Sequence, residues 1–457
     1  MVILASRHLV SAQRRPVSSL RHRVARFFVL SLLPLSCASP AVGQSTFAAD
    51  ALVDSAGVNI HLHYDNTAYR DRFPLIQSRL VDLGVRHVRD GLIYTAWQEY
   101  YERHNSLGRL GIKGVFITSP GLPDAVLQQY PALMRDSFEA YEAPNEYNLS
   151  GDPNWPTTMR TVLAQLHSLR NDPALAPFPV IGPSLTDENA YRQLGDVSAL
   201  IDAGNLHNYF AGRNPGTGGW GDDGYGSIDW NLRAVARSVG SKPIVTTETG
   251  YWDERTRPGA VPQDVGGKYM PRLLLEQFLK GVRRTYIYEL ADIPETVMAG
   301  EGGYGLLRSD GSPKPAYHAV QGLLSLLRDP GPAFTVKPLP YQVAGATGDV
   351  RHVAFQKRDG TYYLALWIEQ SGFDLHTGSY TVVPPQSIMV YVPGEVSVLN
   401  THRWDVDGTV GRTAHAGETG WLPVVVTDRL LVIELRDQTL SAAMPSAPRA
   451  VRIMPLK

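Results

Sequence analysis

Two glutamates in this sequence stand where a carboxylate could do chemistry. Glu146 follows Pro144 and Asn145 in "YEAPNEYN" (141–148), and Glu248 lies near the end of "KPIVTTETGY" (242–251). Either one alone reads as a solvated turn residue. Two such carboxylates on opposite sides of one bond form the pair that breaks a glycosidic linkage. One protonates the departing oxygen, and the other attacks the anomeric carbon or activates a water. The two roles need different pKa values, so the two surroundings must differ. Glu142, four residues before Glu146 and on the same face of its run, reads as a buried support.

Nearby residue types suit the same chemistry. Arg89, in "VRHVRDG", could hold a nucleophilic carboxylate ionised, and Tyr209, in "NLHNYF", could hydrogen-bond and orient it. Asn145 could bond the sugar hydroxyl next to the reacting carbon. His207 and Tyr288 close other apolar runs, and Trp155, Trp220, Trp230 and Trp252 fall on expected loops where aromatic faces could stack on sugar rings. His61 and His63 form an H-x-H pair that opens a second reading, a metal-dependent barrel hydrolase with zinc held by same-face histidines. A third reading, a non-catalytic carbohydrate-binding barrel, leaves the paired glutamates without a purpose.

These residues must be positioned by recurring elements. Eight short apolar runs, beginning with "GVNIHLHY" (57–64) and ending with "RTYIYELAD" (284–292), alternate with stretches of helical period such as "FPLIQSRLVDLG" and "MPRLLLEQFLKGVRR". Alternating strands and helices predict parallel βα units. No glycine-rich phosphate loop follows the first strand, so the pattern favours a closed (β/α)₈ TIM barrel over 50–330 rather than an open doubly wound sheet. In such a barrel the strand C-termini carry the active site, which is where Arg89, Asn145, Glu146, His207, Tyr209, Glu248 and Tyr288 fall. Past "DPGPAFTVKPLP" the pattern turns to alternation, with a hairpin around Asp359-Gly360. This predicts a small C-terminal antiparallel β-sandwich over 337–440, with an irregular tail over 441–457.

The runs "RHVRDG", "APNE", "HNY" and "TTETG", together with "GLLRSDGSPKPAYHAV" (305–320), resemble glycoside hydrolase clan A, the retaining (β/α)₈-barrel glycosidases, over roughly residues 50–330. The resemblance implies Glu146 as acid/base, Glu248 as nucleophile, Asn145 as helper, and Arg89, His207 and Tyr209 at matching strand ends. It leaves the family within the clan open. Many clan members place a Trp at the end of strand eight; "YIYELAD" supplies Tyr288 and Glu289 instead. One of the strand-one histidines, His63 for preference, and Trp252 are expected along a sugar subsite. The implied partner is a carbohydrate substrate, with no cofactor and no metal.

Bulk properties agree. A formal net charge of −1 over 457 residues leaves no basic stripe for nucleic acid. Arginines at 14, 15, 21, 23 and 26, the apolar "FFVLSLLPLS" and the small residues of "AVG" read as an export signal over 1–43, cleaved after about Gly43 and too short to span a membrane. The expected location is secreted or periplasmic. The single cysteine, Cys37, sits in a poor lipoprotein context and allows no intrachain disulfide.

Overall fold

The computed structural model describes residues 41–42 and 46–438. The expected leader, with Cys37, lies outside these residues except for Ala41–Val42, and so does the expected tail over 441–457.

Eight short strands form one parallel sheet. In chain order they are Ala56–Asn59, His87–Gly91, Lys113–Ile117, Phe138–Glu142, Val180–Ile181, Gly204–His207, Ile244–Thr249 and Arg284–Ile287. Hydrogen bonding runs five-four-three-two-one-eight-seven-six. The gap between strands five and six is bridged by parallel pairing of Ile181 with Ala203 and by Gly182 N–H donating to Ala203 O at 2.8 Å, which closes the barrel. Strands covered on both faces read as short apolar runs, which is why all eight could be located. The helices keep amphipathic spacing. Phe73–Leu83 buries Ile76, Leu80 and Leu83, and Gly84 stops it at φ 84°, a left-handed conformation suited to glycine.

Inside the barrel, Val115, Ala140, Ile181, Ala203, Val245 and Tyr286 make an apolar plug. The Tyr286 ring lies over Gly57, where a Cβ would come within 2.5 Å of Cδ1. At the strand N-termini Glu139 accepts from Arg284 Nη1 at 2.8 Å and bonds His87 Nδ1 at 2.9 Å. Burial pushes the Glu139 carboxyl up, but His87 and Arg284 outweigh it and hold it at about 2. The bottom of the barrel is thus sealed by structural charges, and the other polar groups rise toward the strand C-termini.

The C-terminal domain is two packed sheets. One has the order 410–414, 396–404, 431–437, 361–368, 350–356 and 46–48; the other has 41–42, 342–344, 386–392 and 420–426. The six-stranded sheet is covered twice. One face, with Phe355, Tyr363, Trp367 and Trp404, joins the core around the barrel helices, and the other, with Leu364, Leu366 and Ile368, meets the second sheet. Strand Thr361–Ile368 is therefore buried at every position. Its far edge is Thr46–Ala48, which pairs in parallel with Val350–Gln356 before the chain enters the barrel.

Some expectations are corrected. The first barrel strand ends at Asn59, and the chain then turns, with Tyr64 N–H donating to His61 O at 2.9 Å. His61 and His63 therefore lie on the loop above the strand and not within it. Trp155 and Trp230 belong to helices Trp155–Leu169 and Ile228–Val239 and are buried there as packing residues. Trp220 packs edge-on against Tyr225 within its own loop. Asp223 accepts from Trp230 Nε1 at 3.0 Å and braces that loop.

Candidate active site

Arg89, the middle residue of strand two and not its end as expected, is fully buried and organises the upper barrel. Its Nε and Nη2 donate to the two oxygens of Glu142 at 2.8 and 2.7 Å. Nη1 reaches Glu248 Oε1 at 2.6 Å and Asn59 Oδ1 at 3.0 Å, and Nη2 also reaches Asn145 Oδ1 at 2.7 Å. Guanidinium only donates, so the oxygen of the Asn145 amide must face it, and the amide nitrogen is the end left for a ligand. Glu142 also accepts from Asn205 Nδ2 and Thr247 Oγ1, both at 3.1 Å. This buried ion pair is thus satisfied on every side, the condition under which such a pair is tolerated.

Glu248, only 9% exposed, receives Arg89 on Oε1 and the Tyr209 hydroxyl on Oε2 at 3.1 Å. Burial pushes its carboxyl up. The charges of His207 and Arg89 and the hydrogen bonds from Arg89 and Tyr209 outweigh burial and hold it below the usual glutamate value. Glu146 lives differently. It lies beyond the end of strand four at φ 40°, a left-handed conformation rare for a side-chain-bearing residue, and its side chain is 29% exposed. His207 Nδ1 bonds Glu146 Oε1 at 2.8 Å and lies 3.5 Å from Glu248 Oε2, while Nε2 meets Thr247 Oγ1 at 3.1 Å. One oxygen from each glutamate and one His207 nitrogen lie within 4.8 Å of one another.

Aromatic rings pack beside Glu248. Tyr304 sits 5.2 Å from Tyr288, 5.3 Å from Trp252 and 6.0 Å from Tyr209, with the Arg257 guanidinium 4.8 Å above its ring. Tyr288 donates to Glu301 Oε2 at 2.9 Å. The His61 ring packs edge-on against Tyr288 at 5.6 Å, and its Nε2 lies 3.3 Å from Glu289 Oε2, which also accepts from Tyr69 at 3.0 Å. Burial pushes the Glu289 carboxyl up to about 7 against the pull of His61 and Tyr69. His63 Nδ1 lies 3.4 Å from Asp90 Oδ1 and lines a recess of about 540 Å³ with Tyr64, Asn66 and Met298.

Glu146, Glu248, Asn145, Arg89, His207 and Tyr209 thus meet in one bonded cluster. Tyr288 and Trp252 form its wall, and His63 stands apart at the recess. His61 and His63 face different carboxylates and do not make one ligand set. Among the described residues, Glu146, His207 and Glu248 are close enough to share a cation, but the Arg89 charge on Glu248 opposes one. Asn59, Asn205 and Thr247, which floor the site, and Tyr304 and Glu301 carry no strand-end signal in the sequence. Asn205 could have been found from its place two residues before His207, on the same strand face. Tyr304 lies on a long loop with no periodic signal.

No family model matches the sequence, and no curated protein matches it. Solved structures do resemble the chain. One is a family 39 glycoside hydrolase from the gut symbiont Bacteroides cellulosilyticus WH2, with TM-score 0.56, 17% identity and coverage of 85% of this chain and 82% of that one. Another is a glucosidase from Croceicoccus marinus, with TM-score 0.54, 12% identity and coverage of 86% and 98%. A third is an α-L-arabinofuranosidase from Thermotoga maritima, with TM-score 0.53, 10% identity and coverage of 87% and 97%. What is shared at this distance is the fold, a (β/α)₈ barrel with a C-terminal β-sandwich.

Proposed function

We propose that this chain is a retaining glycoside hydrolase acting on a poly- or oligosaccharide, with Glu248 as nucleophile and Glu146 as acid/base. The observation that carries the reading is that one oxygen of Glu146 and one of Glu248 lie within 4.8 Å of each other, beside His207. Retaining pairs stand about 5–5.5 Å apart, and inverting pairs leave room for water at about 6.5–9.5 Å. The asymmetry of surroundings supports the division of labour. Glu248 is buried and held ionised by Arg89, His207 and Tyr209. Glu146 is more open to solvent and touches His207.

In the first step Glu248 bonds to the anomeric carbon as the glycosidic C–O bond breaks, and Glu146 gives its proton to the leaving oxygen. In the second, Glu146 takes a proton from water, the water oxygen bonds to the anomeric carbon, and the Glu248 carboxylate is released. His207 suits the first step. The Thr247 hydroxyl has a single proton, with Glu142 Oε1 at 3.1 Å and Asn205 Oδ1 at 2.9 Å to receive it, so it accepts from His207 Nε2. Nδ1 meets Glu146 Oε1 at 2.8 Å and lies 3.5 Å from Glu248 Oε2, so the ring orients the acid/base beside the nucleophile. With its oxygen held by Arg89, the Asn145 amide has its nitrogen to offer the sugar hydroxyl beside the reacting carbon.

The glycosidase names of the structural neighbours support the reaction class. Export to the periplasm or outside the cell belongs to the same reading and rests on residues 1–43; protein found only inside the cell, with its N-terminus at Met1, would count against it. Among the described residues no helix is long and apolar enough to cross a membrane. The deciding experiment is a screen on aryl glycosides and polysaccharides with Glu248→Ala and Glu146→Ala. Each should lose several orders of magnitude, and azide should rescue turnover of activated substrates. Parent-like turnover in either variant would remove it from the mechanism.

A further inference from the structure

Away from the cleft, a carboxylate of the sandwich reaches back into the barrel. Glu369 follows strand Thr361–Ile368 and is buried. Its oxygens accept from Arg272 Nε at 2.8 Å and Nη2 at 2.6 Å, and from Trp367 Nε1 at 2.7 Å. They also accept from Asn214 Nδ2 at 2.8 Å and Gly216 N–H at 2.9 Å. Arg272 lies on helix Gln263–Leu279 after strand seven, and Asn214 and Gly216 lie on the loop leaving strand six. A Cβ on Gly216 would come within 2.4 Å of Glu369 Cγ, so the loop backbone is pressed against this carboxylate.

The same loop carries Tyr209. Strand seven fixes residue 208, whose N–H donates to Glu248 O at 3.2 Å and whose carbonyl accepts from Thr249 Oγ1 at 2.6 Å. The chain then turns through Ala211 at φ 48° and Gly212 at φ 82°. Past the turn the sandwich supplies the support. Glu369 holds Asn214 and Gly216. A second route runs through Tyr251, which stacks on Phe210 at 6.0 Å and donates to Arg213 O at 2.8 Å. Tyr251 packs on Tyr269, whose hydroxyl bonds Ser371 of the sandwich at 3.0 Å. Beyond Gly216 the loop borders a cleft of about 1150 Å³ between the domains, so it has room to shift if these bonds are lost.

We propose that Glu369 of the C-terminal sandwich is a positioning residue for the nucleophile: through Asn214 and Gly216 it fixes the turn 210–216 and so places the Tyr209 hydroxyl against Glu248. This rests on the glycosidase reading for its kinetic consequence but not for its geometry. The sandwich then has a part in turnover, which a mere cover would not.

Truncating Glu369 would strand the buried Arg272 charge, so the test works from the loop side with Asn214→Ala, Gly216→Ala, Tyr209→Phe and the double variant Asn214→Ala/Tyr209→Phe. On the aryl glycoside that the parent turns over best, Asn214→Ala and Gly216→Ala should each lower kcat about tenfold while KM stays within about twofold. The double variant should be no slower than Tyr209→Phe alone, because the second change acts through a hydroxyl already gone. Amide hydrogen exchange over 208–216 should accelerate in Asn214→Ala. Additive losses, or a parent-like kcat in both loop variants, would overturn the inference. If Glu248→Ala keeps parent turnover, the glycosidase reading is what falls. The exchange measurement, which needs no substrate, then decides this one, and parent-like protection over 208–216 overturns it.

Discussion

Replacing Tyr209 by Phe removes one oxygen from the site and leaves the ring among Trp252 and Tyr304. The hydroxyl donates to Glu248 Oε2 at 3.1 Å, a hydrogen bond to an ionised carboxylate. Such bonds contribute about 1.5–3 kcal/mol. Losing this one disfavours the charged form of Glu248, and at 1.36 kcal/mol per unit the carboxyl should rise by about one to two pH units. Arg89 at 2.6 Å and His207 at 3.5 Å remain, so Glu248 still ionises. Glu248 acts as a carboxylate, and its activity is present above its pKa and lost as pH falls through it. The variant should therefore lose kcat/KM at higher pH than the parent, with the acid limb moved up by about one to two units and the alkaline limb moved less. The limb is a macroscopic value, so the comparison is between variant and parent. The assay is kcat/KM for an activated aryl glycoside from pH 3 to 9, alongside thermal melting. An acid limb that stays put, in a variant that melts like the parent, would refute the reasoning that Tyr209 helps hold the nucleophile ionised.

Four further outcomes are expected. Arg89→Met leaves Glu142 and Glu248 buried without their cation and should cost about 3–5 kcal/mol of stability, read by denaturant melts, together with most of the activity; a parent-like melt would contradict the ion-pair account. Glu289→Gln should flatten the dependence of stability on pH. With its folded value at about 7, above the ordinary glutamate value, Glu289 holds a proton that the unfolded chain releases earlier, so the parent should lose stability as pH rises from about 4.5 through 7 and the variant should not. Gly57→Ala drives a Cβ to within 2.5 Å of the Tyr286 ring and should cost about 1–3 kcal/mol, visible as a lower melting temperature. Treatment with a chelator should leave turnover unchanged; a rate lost to chelation and restored by zinc would favour a metal-dependent reading over the carboxylate pair.

The barrel was legible because each strand is covered on both faces and so appears as a short apolar run between turns. Glu146 and Glu248 were legible because they lie at or just past the ends of two such runs. Asn59, Asn205 and Thr247 were not, since a lone polar residue in a strand looks the same whether it faces a site or a backbone. The H-x-H pair misled because its alternation continues the strand pattern past Asn59, where the backbone has already turned away. In the sandwich, "VGRTA" and "GWLPVVV" carry mostly exposed or half-buried residues, and Pro423 interrupts the second, so strands Val410–Ala414 and Gly420–Val426 left little trace. Trp155 and Trp230 read as loop residues because each lies in the first turn of its helix, next to the Gly- and Asp-rich segment that precedes it.

The parallel pairing of Thr46–Ala48 with Val350–Gln356 also bears on biosynthesis. A ribosome releases the first segment on the order of 300 residues before its partner. At about 5–20 residues per second, that edge waits on the order of 15–60 s for its mate. The barrel between them can condense in that interval, but the sheet that joins Thr46–Ala48 to the later strands closes only once residues 350–437 have emerged. Chains stopped early by a nonsense codon would therefore leave an open edge and an uncovered barrel helix, marks that quality-control proteases and chaperones recognise.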